Sequence, residues 1–150
     1  MKISLLADCP DEVLNIANWY LHEWEQNDPE ATLETVVQKV VRGTNRSKIP
    51  MAFVVHDENK LVGAGEIKYR ELTEYDGYNY WLDGVYVPVT HRGRGISTIL
   101  IEFAISKAIE LELPALYLRC EVHNVKLYES HGFNVVWLEG SKFIMELELS

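Results

Sequence analysis

Residues 85–100 read VYVPVTHRGRGISTIL, from Val85 to Leu100. An apolar run closed by Pro88 passes through two arginines and two glycines into a helical pattern, which makes residues 92–98 a strand-to-helix junction. Free backbone N–H groups at a helix N-terminus point outward, and the helix dipole adds partial positive charge there. Gly93 and Gly95 let the backbone approach an anion closely and adopt positive φ. Arg92 and Arg94 bring forked, permanently charged donors that match phosphate oxygens. Together these residues suit a pyrophosphate better than a single carboxylate.

The chain around this basic junction is acidic. Its 150 residues carry 14 Lys and Arg against 23 Asp and Glu, a formal charge of −9. A nucleic-acid partner needs a broad basic face, so that class is set aside, and the acidity leans toward a cationic substrate. Hydrophobic residues at 47% and charged residues at 25% are globular proportions, so one domain over residues 1–150 with its own core is expected. Cys9 and Cys120 make no disulfide framework, and no Cys/His spacing predicts a zinc or other metal site. The opening MKISLLADCP has too short an apolar run for a secretory signal, and no segment approaches a membrane span. A soluble cytoplasmic protein is the expectation.

Outward from the junction, the pattern alternates helices and strands. KISLLA (2–7) reads as a short strand. Apolar residues from Val13 to Trp24 recur at helical spacing, predicting an amphipathic helix to about Glu25 with Trp19 and Trp24 in the core. Asp28-Pro29-Glu30 predicts a restart, and that second helix stops at Gly43. Residues 51–55 and 61–69 predict a hairpin across Asp57–Lys60, and 80–87 a further strand. A polar, aromatic loop at 71–79 is expected to border a substrate pocket through Tyr75, Tyr78 and Tyr80. Residues 97–111 predict a helix with Ile99, Leu100, Phe103, Ala104 and Ile109 inward. Residues 115–120 read as a strand, 125–130 as a short helix, and 133–138 with 143–149 as a closing hairpin.

Two nucleotide motifs fail on spacing: there is no GxxxxGK[ST] P-loop, and Gly93-x-Gly95 lacks the third glycine of a dinucleotide fingerprint. The stretch Arg92-Gly93-Arg94-Gly95-Ile96-Ser97 instead resembles the [QR]-x-x-G-x-[GA] acyl-CoA loop of the GNAT superfamily of N-acyltransferases. Asn124, Leu127-Tyr128-Glu129 and Gly132-Phe133 resemble that family's later N…LYE…GF signature, in the right order. Two departures stand out: Ser97 replaces the usual final Gly or Ala, and the gap from Asn124 to Tyr128 is short.

The resemblance implies an α/β (α+β type) GNAT fold, a central mostly antiparallel mixed sheet flanked by helices. It implies that the amides of Gly93, Arg94, Gly95, Ile96, Ser97 and Thr98, with the Arg92 and Arg94 side chains, cradle the pyrophosphate of acetyl-CoA. It further implies that the main chain of Val85, Tyr86 and Val87 pairs with the pantetheine arm, that residues 115–120 form the opposite wall, and that Asn124 lies near the cofactor. Tyr128 matches the family's general acid, and the amide of Tyr86 or Val87 is the expected donor to the thioester carbonyl. For the base, Asp83 and Glu66 both remain open, each able to take an ammonium proton or to bind a cationic substrate. The five histidines are scattered, and Cys120 has no paired base in the sequence to make it a nucleophile.

The expected activity is acetyl transfer from acetyl-CoA to a primary amine of a small cationic molecule, whether polyamine, aminoglycoside-like or amino-acid-derived, in a negative pocket. A protein N-terminus or lysine acceptor, or a non-catalytic acyl-CoA-binding regulatory module, are the alternatives. No membrane partner is expected, and a homodimer is compatible with the fold.

Overall fold

The computed structural model describes residues 1–72 and 74–150; Thr73, within the predicted 71–79 loop, lies outside the described residues. Seven strands form one sheet: β1 (Lys2–Leu5), β2 (Met51–Asp57), β3 (Lys60–Tyr69), β4 (Tyr80–Tyr86), β5 (Ala115–Glu121), β6 (Asn134–Glu139) and β7 (Lys142–Glu148), in the order β1-β2-β3-β4-β5-β7-β6. Every neighbouring pair is antiparallel except β4 and β5. That parallel pair needs a crossover, and the crossover is the long helix after the basic junction.

Four helices cover the two faces: α1 (Val13–Tyr20), α2 (Leu33–Val41), α3 (Ile96–Glu110) and α4 (Val125–Glu129). Residues along β2 point alternately to opposite faces. Phe53 and Val55 therefore join α3 residues Leu100, Ile101 and Ala104 in the main core. Ala52 and Val54 meet Ile16 and Ala17 of α1 and Val36 and Val40 of α2 in a second cluster. Burial on both faces explains why the β2 and β3 sequences are near-continuous apolar runs.

Three local expectations differ from the structure. Asp28-Pro29-Glu30 is not helical; α2 begins later because Thr32 and Thr35 exchange the reciprocal hydrogen bonds of a capping box. Ile109 is 58% exposed, whereas Ile101 and Ala108 are buried. This helix carries apolar residues on almost every side, so spacing alone could not orient it. Trp24 is exposed rather than in the core.

Candidate active site

The strand pair around the crossover creates the site. β4 and β5 share one ladder position, Trp81 opposite Tyr117, and then diverge. Beyond it the β5-facing main-chain groups of β4 have no strand partner, so a ligand with amides could satisfy them. A cavity of about 610 Å³ fills the opening, lined by Leu82 to Val87 on one side and Leu118 to Glu121 on the other.

The basic turn stands at one end. Gly93 and Gly95 have φ of 80° and 82°, and a Cβ at either would meet nothing within 4 Å. Their role is conformational: a left-handed backbone that side-chain-bearing residues adopt at a cost of roughly 1–2 kcal/mol. Gly95 is the N-cap of α3, and its carbonyl accepts from Ile99 at 3.2 Å. The amides of the first helical turn before Ile99 have no intrahelical partner. Arg92 and Ser97 line the cavity; Gly93, Arg94 and Gly95 are exposed beside it, and the Ile96 side chain is buried in the core. Arg92 departs from the simple expectation of a free phosphate ligand. Its Nε donates to the Val87 carbonyl at 2.9 Å and the guanidinium lies 6.0 Å from the Tyr86 ring centroid, so it also braces the end of β4.

Tyr128, Leu127, Asn124 and His123 close the cavity from the α4 side. Among the described residues no fully buried polar side-chain atom lacks a partner. Among the described residues the Tyr128 hydroxyl has no hydrogen-bond partner, so it is not sealed in the core and faces the cavity that its residue lines. Burial, with a smaller effect from Cys120, pushes its phenol up to about 12, and the hydroxyl therefore keeps its proton at neutral pH. Burial likewise raises the Cys120 thiol.

The β4 backbone is irregular where the cavity is widest. Ala64 pairs with Tyr86 and Glu66 with Asp83, so β4 carries one extra residue across this interval. Gly84, with φ of 62°, supplies the left-handed residue of that bulge. The Tyr20 hydroxyl donates to the Gly84 carbonyl at 2.6 Å, and a Cβ at Gly84 would lie 2.5 Å from that hydroxyl oxygen. The end of α1 therefore pins the bulge.

A second cavity of about 280 Å³ adjoins the first, sharing Trp24, Asp83 and Gly84. The α1 extension and α2 roof it, and Glu66, Lys68 and Arg70 form its floor. Glu66 is 7% exposed and holds Lys68 Nζ at 3.0 Å. Burial raises its carboxyl above the ordinary range, against the lowering influence of Lys68. Asp83 is the more heavily partnered acid. One oxygen accepts the Gly84 amide at 2.9 Å, and the other pairs with Arg70 and, at 3.6 Å, with Lys68. Asp83 thus borders both cavities, Glu66 only the second. The expected negative pocket is not found: Glu25, Glu66 and Asp83 are matched by Lys39, Lys68 and Arg70.

Neither cavity is lined by Tyr75, Tyr78 or Tyr80. Tyr78 instead stacks on Tyr117 at 4.2 Å, and Tyr75 packs by Trp81. Trp24, Tyr20, Lys68 and Arg70 were missed as site residues. The first two look like core by periodicity, but the helix widens into a π-turn at Leu21–Glu25, and Trp24 is carried over the cavity, 5.9 Å from Tyr86. For the others a signal existed: residues 66, 68 and 70 alternate on one strand face. Among the described residues no group of His, Cys, Asp and Glu is arranged to hold a metal, and no helix is long and apolar enough to cross a membrane.

A basic turn at the head of α3 thus leads into a wedge between two diverging strands. Residues 13–133 match the sequence profile of the acetyltransferase (GNAT) family. The chain belongs to that family. No curated protein sequence matches it. Among solved structures it is similar to an aminoglycoside 6'-N-acetyltransferase complexed with coenzyme A, with TM-score 0.77, 15% identity, and 100% of this chain and 98% of that one covered. It is also similar to a ribosomal-protein-alanine N-acetyltransferase from Brucella melitensis (TM-score 0.74, 21% identity, 99% and 100% covered). A third is the spermidine/spermine N-acetyltransferase SpeG from Vibrio cholerae (TM-score 0.69, 20% identity, 99% and 94% covered). At these identities the likeness shows the shared fold alone, and the three act on different acceptors.

Proposed function

We propose that this protein is an acetyl-CoA-dependent N-acetyltransferase acting on a primary amine of a small molecule. The observation that carries the reading is the joining of two cavities at Asp83 and Gly84, with Tyr128 in one and Glu66 in the other. Acetyl-CoA, when bound, supplies the acyl thioester. The amides of residues 93–98, with Arg94 and the terminal nitrogens of Arg92, bind its diphosphate. The free edge of Val85, Tyr86 and Val87 binds and orients the pantetheine arm, and Asn124 borders it. The amide of Tyr86 or Val87 donates to the carbonyl oxygen as charge develops there.

Between the two acids, Glu66 is the better base. Its raised carboxyl lies closer to neutral pH, where proton uptake is most effective. Asp83 already accepts on both oxygens and is assigned to hold the substrate ammonium at the junction. Tyr128 Oη holds the proton for the departing sulfur.

Thermal denaturation tests the reading. Acetyl-CoA at 100 times its dissociation constant adds about 2.7 kcal/mol, which for a domain of this size raises Tm by roughly 5–10 °C. ATP and NAD at the same concentration are expected to leave Tm in place. A shift with ATP or NAD and none with acetyl-CoA would remove the acyl-CoA reading.

A further inference from the structure

We infer that the acceptor carries a carboxylate beside its reactive amine, a compact amino-acid-like zwitterion, and that Arg70 selects for it. This rests on the acyltransferase reading above and narrows its substrate class. The second cavity is small, at about 280 Å³, and lies at the low end of ligand pockets. Its floor is a closed ionic set: Lys68 between Glu66 and Asp83, and Arg70 on Asp83. Lys39 and Glu25 pair at 2.8 Å on the rim. Each acid therefore has a basic partner already.

A polyamine would bring several positive charges into this balanced set, with no spare carboxylate to receive them, and would meet Lys39, Lys68 and Arg70. Uncompensated charge in a partly buried site is costly. A zwitterion exchanges into the set without changing its net charge. Its ammonium takes the Asp83 and Glu66 oxygens, and its carboxylate takes the guanidinium fork of Arg70, a bidentate match that an amide or ester cannot reproduce. In the transfer the acyl C–S bond of acetyl-CoA breaks and an N–C bond forms. The ammonium gives one proton to Glu66 and becomes the attacking amine. The sulfur takes the proton held by Tyr128, and the nitrogen's second proton passes through solvent to the Tyr128 oxygen. Glu66 releases its proton to solvent, so one proton is set free per transfer.

The test uses the intact protein with acetyl-CoA, following free-thiol release with the standard amino acids, β-alanine and γ-aminobutyrate, their methyl esters and amides, and spermidine. The expected result is a free acid with kcat/KM at least about tenfold above its own ester and above spermidine. In Arg70→Gln the acid-to-ester ratio is expected to fall toward one, and Arg70→Lys to restore part of it. Esters or spermidine reacting as well as or better than every acid would overturn the inference while leaving the acyltransferase standing. Release with no amine at all would also overturn it, and a failure of acetyl-CoA to raise Tm in the same preparation would show that the parent reading had failed too.

Discussion

Tyr128→Phe is expected to lower kcat by about 10²–10⁴-fold, the range for a positioned general acid. The rise in Tm with acetyl-CoA is expected to persist. The residue packs against Phe133 with ring centroids 5.9 Å apart, and phenylalanine preserves that packing. Among the described residues the hydroxyl has no partner to orphan, so folding is not at stake. The loss should fall on kcat rather than on the KM for acetyl-CoA, because a proton held for the leaving sulfur matters only as the bond breaks. Steady-state kinetics by thiol release checks this. A variant with unchanged kcat would favour a non-catalytic acyl-CoA-binding module, which would bind the cofactor and have no use for the phenol.

Glu66→Gln is the second large effect. A base of this kind contributes about 10²–10⁴-fold, and the loss should be greatest near neutral pH. In the wild type, kcat/KM should fall as the pH drops through the raised Glu66 carboxyl, so the acidic limb lies above the ordinary carboxylate range. In the variant that limb is expected to vanish. Stability should move the other way. Burial raises the folded carboxyl, so its favourable contribution is complete below the unfolded value and is lost as pH rises through the folded one. The ionised side chain is thus a burden at neutral pH, and glutamine relieves it while Lys68 keeps Asp83. The Tm of Glu66→Gln is therefore expected to equal or exceed that of the wild type at pH 7. A pH–rate profile with the acidic limb intact in Glu66→Gln would transfer the base to Asp83 or to a water chain.

Much of the framework was legible in the sequence because its signals are local. Pro88 and the Arg-Gly-Arg-Gly turn marked the strand-to-helix crossover, and period-two and period-3.6 patterns gave the order of the remaining elements. Tyr128, Asn124 and the 92–98 turn stood out because motif spacing on a short segment survives folding. What was hidden depends on tertiary approach. The β4 bulge sets Gly84 against the Tyr20 hydroxyl across 64 positions of chain, and nothing in YWLDGVYV announces that partner. The pocket's charge balance arises from α2, β3 and β4 together, so the acidity of the whole chain misrepresented it. Trp24 followed the helical stripe in sequence but left it in space, because the π-turn at Leu21–Glu25 changes the angular step per residue.

The cofactor is to be held by main-chain groups of two segments, so amide proton–nitrogen correlation spectra during an acetyl-CoA titration read the binding at its source. The largest perturbations are expected at residues 93–98 and 85–87, with smaller ones along 118–124 on the facing wall. Unmoved resonances in those segments, with the changes gathered at another surface, would contradict it.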